Sequence, residues 1–317
     1  MPLLSMPMRL LRMLIQSRIF LCVFVSGLCC LTVSAAYGRD DIDVLCVDYT
    51  VSGQAGAAHP RAGTFEEQLR VSAFLREIQC AYPVVLEENT SFLIHSLSMQ
   101  NLSLRYKEWD TSREPGSFRE FYGFEYGCAL RRNFSESCRG IFFVRPAICS
   151  DFEKTTIEDV RVSGGVIIEH RRNSGGWYGV GMACSGGKDS SLLFPLFRYS
   201  GSAAPEESRG VSINIVAPVK AEIFYACSDK VDVGIACKVN GNRYYLHDNR
   251  SVGTSFEYLL VTFGPAVRWH SGENVQLRLD AGTSLFHRLR IYEGSQIRRS
   301  IELEPQWVVK AGLYFLI

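Results

Sequence analysis

The sequence predicts an all-β protein: a single closed antiparallel up-and-down barrel of the membrane-spanning kind, placed after an N-terminal signal peptide. Three observations predict it. Apolar and polar residues alternate with period two in run after run. Long segments of helical period are missing. No apolar run after Ala36 approaches the roughly 18 residues that a spanning helix needs.

The N-terminus is read first. Arg9, Arg12 and Arg18 make a basic start, an apolar run extends from Ile19 to Val33, and the small residues Ser34, Ala35 and Ala36 precede Asp40 and Asp41. This is the pattern of a secretory signal peptide cut near Ala35 or Ala36. The expected organisation is therefore residues 1–36 as signal peptide and 37–317 as barrel. An uncleaved anchor is one alternative. Lipid attachment at Cys29 or Cys30 is another, against which the bulk of Leu28 counts. Eight cysteines remain after Ala36: Cys46, Cys80, Cys128, Cys138, Cys149, Cys184, Cys227 and Cys237. No pair has the CxxC spacing of a zinc or redox site, and a disulfide between Cys138 and Cys149 is possible in an exported chain. The formal net charge of +1 gives no electrostatic case for nucleic acid.

The strand-like runs follow in order. Tyr122, Phe124, Tyr126, Cys128 and Leu130 share one face. Val211, Ile213, Ile215, Ala217, Val219, Ala221 and Ile223 share another in what reads as one continuous run. Val231, Val233, Ile235, Cys237 and Val239 alternate with Asp232, Gly234, Ala236, Lys238 and Asn240. Val275, Leu277, Leu279 and Ala281 alternate with Gln276, Arg278 and Asp280. The last run places Ile301, Leu303, Trp307, Val309, Ala311, Leu313, Phe315 and Ile317 on one parity. At roughly 3.3 Å per residue it exceeds the roughly ten residues needed to cross a bilayer. Turn chemistry separates the runs at Cys227–Lys230, His270–Asn274 and Asn173–Gly176. About thirteen strand-like segments lie between Asp43 and Ile317. Bacterial barrels close with even numbers, so about twelve strands are expected, with fourteen as the alternative.

A soluble sandwich also alternates, but its strands average about six residues. The longer runs here, with polar and small residues on the second face, fit an apolar outer band around a polar interior. In the C-terminal stretch Lys310–Ile317, a polar residue is followed by Gly two positions later and by alternating apolar residues at the end. Lys310, Gly312, Phe315 and Ile317 fill the slots of what resembles the C-terminal assembly signal of bacterial outer-membrane barrels. Just before it, a hairpin around Glu293-Gly294-Ser295 carries Leu285, His287, Leu289 and Ile291 on one parity and Arg288 and Arg290 on the other. An even register constant near 590 or 592 sets the arginines beside Glu302 and Glu304. Charge facing lipid at mid-depth costs about 2–4 kcal/mol for Arg. Arg288, Arg290, Glu302 and Glu304 are thus expected to point into the lumen or to lie above the membrane, as cross-strand pairs.

The chain after Ala36 resembles the uncharacterised outer-membrane β-barrel proteins of spirochaetes and Bacteroidetes. The resemblance rests on Gly210–Phe315, notably Asn240-Gly241-Asn242-Arg243-Tyr244-Tyr245 followed by Phe263-Gly264-Pro265. It implies a cell outer membrane location, with membrane lipids, the barrel assembly machinery and small solutes as partners. No enzyme motif stands beside it. Ser185-Gly186-Gly187-Lys188-Asp189-Ser190 resembles a pyrophosphate loop but lacks the following helix, and reads as a turn between strands. The histidines (His59, His95, His170, His247, His270, His287) never form HxH or HExxH. No catalytic, cofactor-binding or metal site is therefore assigned. The expected function is a small-solute channel or a surface barrel. The alternatives are a soluble or lipid-tethered periplasmic β protein that binds a partner, and a barrel hydrolase.

Overall fold

The computed structural model describes residues 43–316, except 59–69, 88–89, 108–117, 153–155, 173–175, 188–189, 203–209, 248–253 and 273. The signal peptide expected over 1–36 lies outside the described residues.

Sixteen strand segments carry the chain. They are β1 (Asp43–Ser52), β2 (Ala55–Gly56), β3 (Arg70–Glu87), β4 (Ser91–Lys107), β5 (Phe118–Ser135), β6 (Cys138–Ser150), β7 (Val160–Arg171) and β8 (Trp177–Gly187). After these come β9 (Ser190–Ser202), β10 (Val211–Ala217), β11 (Lys220–Ser228), β12 (Val231–Leu246), β13 (Thr254–His270), β14 (Val275–Glu293), β15 (Gln296–Glu302) and β16 (Trp307–Leu316). The one helix among the described residues is a single 3-10 turn, Ile157–Asp159. Neighbouring strands pair antiparallel in sequence order, and β1 pairs with both β3 and β16, so the sheet closes on itself. The short β2 continues the β1 wall along β3, and β15 continues the β16 wall along β14. The barrel therefore has fourteen walls, the alternative rather than the expected twelve. Closure gives every wall two neighbours among the described strands, so that most N–H and C=O groups are paired within the sheet, as hydrocarbon requires.

One wall escaped the sequence count. The run Val211–Ile223 is a hairpin: Pro218-Val219 separates β10 from β11, Ile213 lies opposite Ile223, and Ile215 opposite Ala221. A two-residue turn with this register keeps odd residues on one face through the turn, so the alternation runs on unbroken.

The lower barrel, at the end that carries both described termini, faces outward with apolar side chains. On β12, β14 and β16 these include Val233, Ile235, Leu277, Leu279 and Val309, all exposed, as the alternation predicts. Aromatic residues mark the margins: Tyr178, Tyr225 and Trp269 near the terminus end and Trp307 towards the loop end. Such girdles suit membrane–water interfaces.

At the loop end the pattern inverts. The register constant is 590, one of the two values the sequence suggests, where Arg288 faces Glu302 and Leu289 faces Ile301; it shifts by one residue at the hairpin tip, where Tyr292 faces Ile297, and lower down Thr283 faces Trp307. Between these stretches Leu285-Phe286 lies opposite Glu304-Pro305, and both strands switch faces there. Ser284 and Gln306 are buried below the switch, and His287, Leu289, Ile301 and Leu303 are buried above it. Of the two placements expected for these charges, the lumen is excluded; Arg288 does stand opposite Glu302 across the hairpin, but the arginines form their ion pairs with Glu257. Arg288, Arg290 and Glu302 sit on the outer face above the apolar belt, where Glu257 of β13 receives Arg288 at 3.5 Å and Arg290 at 3.8 Å. Glu304 is exposed next to Gly56. Above the switch the outer face of β13–β15 carries Glu257, Arg288, Arg290 and Glu302, and the apolar side chains turn inward.

The inward residues fuse into a core. Val71, Leu75, Leu102, Leu104, Phe121, Tyr244, Phe256, Tyr258, Leu260, Leu289, Ile301 and Leu303 pack together across the bore. Phe121 stacks on Phe256 with centroids 5.2 Å apart and meets Tyr244 at 5.2 Å. To reach each other, β6 and β12 touch in a parallel bridge, Ser150 with Tyr245, reinforced by the Asp151 N–H donating to the Tyr245 carbonyl at 3.1 Å. The loop end is thus a smaller closed barrel, β2–β6 with β12–β15, and the β7–β11 walls form a lobe beside it.

The possible Cys138–Cys149 disulfide is excluded. The two residues sit at opposite ends of one strand, β6, and at roughly 3.3 Å per residue they cannot meet.

Candidate functional site

The residues with chemistry are inside the lower barrel. Alternation places Glu222 on the inner face of β11, Lys238 on β12, Arg268 on β13, and Arg278 and Asp280 on β14. Curvature then draws these walls together around one carboxylate. Glu222 Oε1 accepts from Arg278 Nη1 at 2.9 Å and lies 3.5 Å from Lys238 Nζ. Its Oε2 accepts from Arg268 Nη2 at 3.1 Å and lies 3.8 Å from Lys220 Nζ. Asp280 holds Arg278 Nε at 2.7 Å and Lys238 at 3.4 Å. The Arg268 guanidinium lies 3.5 Å from the Phe224 ring centroid, and Phe224 packs with Ala236 and Ala266. Four cations share two carboxylates, so the cluster carries excess positive charge.

Two further groups line the bore. On the lobe side Glu169, which is fully buried, takes Arg139 at 2.6 Å and Arg198 at 3.3 Å, and Arg139 stacks on Trp177 at 3.8 Å. Between β5 and β6, Glu125 and Arg145 lie 3.6 Å apart and keep 35% and 47% of their side-chain surface open. Water therefore reaches the inside of the closed wall. A polar layer separates this wet zone from the apolar plug. Gln100 of β4 accepts from the Tyr244 hydroxyl at 2.8 Å and from Asn242 Nδ2 at 3.3 Å, and Arg161 of β7 donates to Asn242 at 3.1 Å and to Ser185 at 3.2 Å.

Lys310 and Gly312 face inward on β16. Lys310 pairs with Asp48 at 2.5 Å, and Tyr314 donates to the same carboxylate at 2.7 Å. Gly312 leaves the room that Asp48 and Tyr314 occupy. Phe315 faces outward between Leu45 and Val275. Ile317 lies outside the described residues.

Ser185–Gly187 close β8 and Ser190 opens β9, so this Gly-rich stretch is a connection between antiparallel strands, as its sequence context suggests. The histidines are dispersed. His95 contacts the Tyr126 hydroxyl at 2.6 Å, His247 contacts Asp159 at 2.7 Å, His270 contacts Asp232 at 3.0 Å, and His287 contacts Gln306 at 2.6 Å. His59 lies outside the described residues. No group of three or more metal-ligating side chains forms among the described residues. The Glu222 cluster escaped the sequence reading, although its signal was present: Lys238, Arg278 and Asp280 all stand on the polar parity of their runs.

A family profile described as a domain of unknown function, DUF6268, matches residues 78–317. That span takes in most of the wall and the segment Asn240–Pro265, while nothing in the comparisons supports a spirochaete or Bacteroidetes source. A search of curated proteins finds no match. Among solved structures, the chain is similar to the COG4313 outer membrane channel from Pseudomonas putida F1, with 8% identity, a TM-score of 0.44, and coverage of 88% of this chain and 98% of that one. It is also similar to a mutant of the TodX monoaromatic hydrocarbon channel, with 7% identity, a TM-score of 0.39, and coverage of 89% and 91%. A third is the translocator domain of the autotransporter NalP from Neisseria meningitidis, with 9% identity, a TM-score of 0.29, and coverage of 94% and 97%.

Proposed function

We propose that this chain, which belongs to the DUF6268 family, is an outer-membrane barrel that passes small solutes through a narrow, charge-lined lumen. The outer belt of apolar and aromatic side chains supports the location. The observation that carries the passage is the solvent exposure of Arg145 and Glu125 inside a closed wall. The apolar plug fills the bore at the loop end, so the route runs beside it. Above Val239, β12 has no β11 partner until its bridge to β6, and Arg161 of β7 spans that stretch to Asn242. On this reading residues 1–36 direct export, and Lys310, Gly312, Phe315 and Ile317 present the last strand to the assembly machinery.

The packed loop-end core favours a second reading, a surface or structural barrel that conducts nothing. Planar-bilayer recording on the refolded mature protein separates the two. Discrete conductance steps are expected. A correctly folded barrel, shown by heat-modifiable migration, that gives no steps would leave only the second reading.

A further inference from the structure

We propose that the lumen selects small anions over cations. This rests on the passage proposed above and names the class of solute it takes. The physical basis is that lumenal carboxylates are repeatedly outnumbered. Glu222 and Asp280 face Lys220, Lys238, Arg268 and Arg278. Glu169 faces Arg139 and Arg198. Glu125 pairs with Arg145, and Arg161 of β7 reaches into the same region, where among the described residues its hydrogen-bond partners are the neutral Asn242 and Ser185. The Lys310–Asp48 pair is balanced, and Glu77 on β3 and the Asp232–His270 contact are the acidic exceptions. These exceptions do not cancel the excess around Glu222.

A second observation points the same way. Arg278 is almost wholly buried, yet among the described residues its Nη2 has no hydrogen-bond partner, and the buried Nε of Arg268 next to it has none either. These guanidiniums are thus incompletely compensated, and their positive charge adds to the field in the bore. Field lines from an excess of one sign are focused inside a low-dielectric wall, which raises the local concentration of the opposite ion. Carboxylates and phosphates of a few heavy atoms fit this chemistry, and chloride is its simplest probe.

The test is the reversal potential of single channels in a potassium chloride gradient. The wild type is expected to show chloride permeability at least about twofold above potassium, in keeping with electrostatic focusing. The double variant Arg145→Glu with Lys220→Glu changes two solvent-reached positions and should lower that ratio severalfold or invert it, with folding verified by heat-modifiable migration. If the variant does not fold, raising the salt on the wild type serves instead, and the preference should weaken as the charges are screened. Potassium preference in the wild type, or a ratio unmoved by both the variant and salt, would overturn the selectivity while leaving the passage intact. Absence of any conductance would remove the passage itself, and the selectivity with it.

Discussion

Gly264 on β13 shows how a single residue sets the wall's curvature. A Cβ there would collide with the Ala281 carbonyl oxygen and the Gly282 Cα of the neighbouring strand, both backbone atoms that cannot swing away. The ladder between β13 and β14 also skips this point, passing from Phe263–Thr283 to Ala266–Asp280. Glycine kinks of this kind let a sheet bend tightly enough to close. Gly264→Val is expected to destabilise the barrel by at least about 1–3 kcal/mol, the range for overpacking. Gly186→Val is the control, because a Cβ there meets nothing within 4 Å. Midpoints of urea unfolding in detergent, read by heat-modifiable migration, should fall for the first and hold for the second. Glu222 makes the complementary case. It is 2% exposed on its side chain and shared by four cations. Glu222→Gln leaves those cations facing one another, so a loss of about 3–5 kcal/mol is expected in the same assay, as when one partner of a buried ion pair is removed.

At the scale of elements, the inverted hairpin β14–β15 carries the instructive error. Alternation made the faces of β5, β12, β14 and β16 legible, and the register of the hairpin with them, because a period of two survives without tertiary context. Alternation has no sign, however. It cannot say whether an apolar face meets lipid outside or a core inside, and Pro305 opposite Leu285-Phe286 was the local mark of the change. The Pro218-Val219 turn stayed hidden because it preserved parity. Lumenal Lys238, Arg278 and Asp280 stood on a recognised polar face, but their convergence on Glu222 depends on curvature that no single run encodes. Two expectations follow for the loop-end barrel. Phe121→Ala opens a void in its centre and should cost about 3–5 kcal/mol. Hydrogen exchange should then quicken at the Asp151 amide, which is held by the β6–β12 bridge. The outer pairs of Glu257 with Arg288 and Arg290 are solvent-reached, so a double-mutant cycle there should return less than about 1 kcal/mol.

At the scale of the molecule, one chain solves two solvation problems in succession. The lower barrel turns apolar side chains outward and keeps its charges inside. The upper barrel does the reverse and packs a core. The boundary between them lies just above Trp307, and the opposite margin of the belt near Trp269. These natural tryptophans test the account directly. Both are substantially exposed on the outer wall, at 58% and 45%, whereas Trp177 stacks on Arg139 inside the lumen. Single-tryptophan variants, with the remaining tryptophans including Trp109 changed to Phe, can be reconstituted into bilayers of brominated lipid. Strong quenching of Trp269 and Trp307 with little quenching of Trp177 is the predicted result. Quenching of Trp269 and Trp307 no greater than that of Trp177 would contradict a barrel whose lower belt faces lipid.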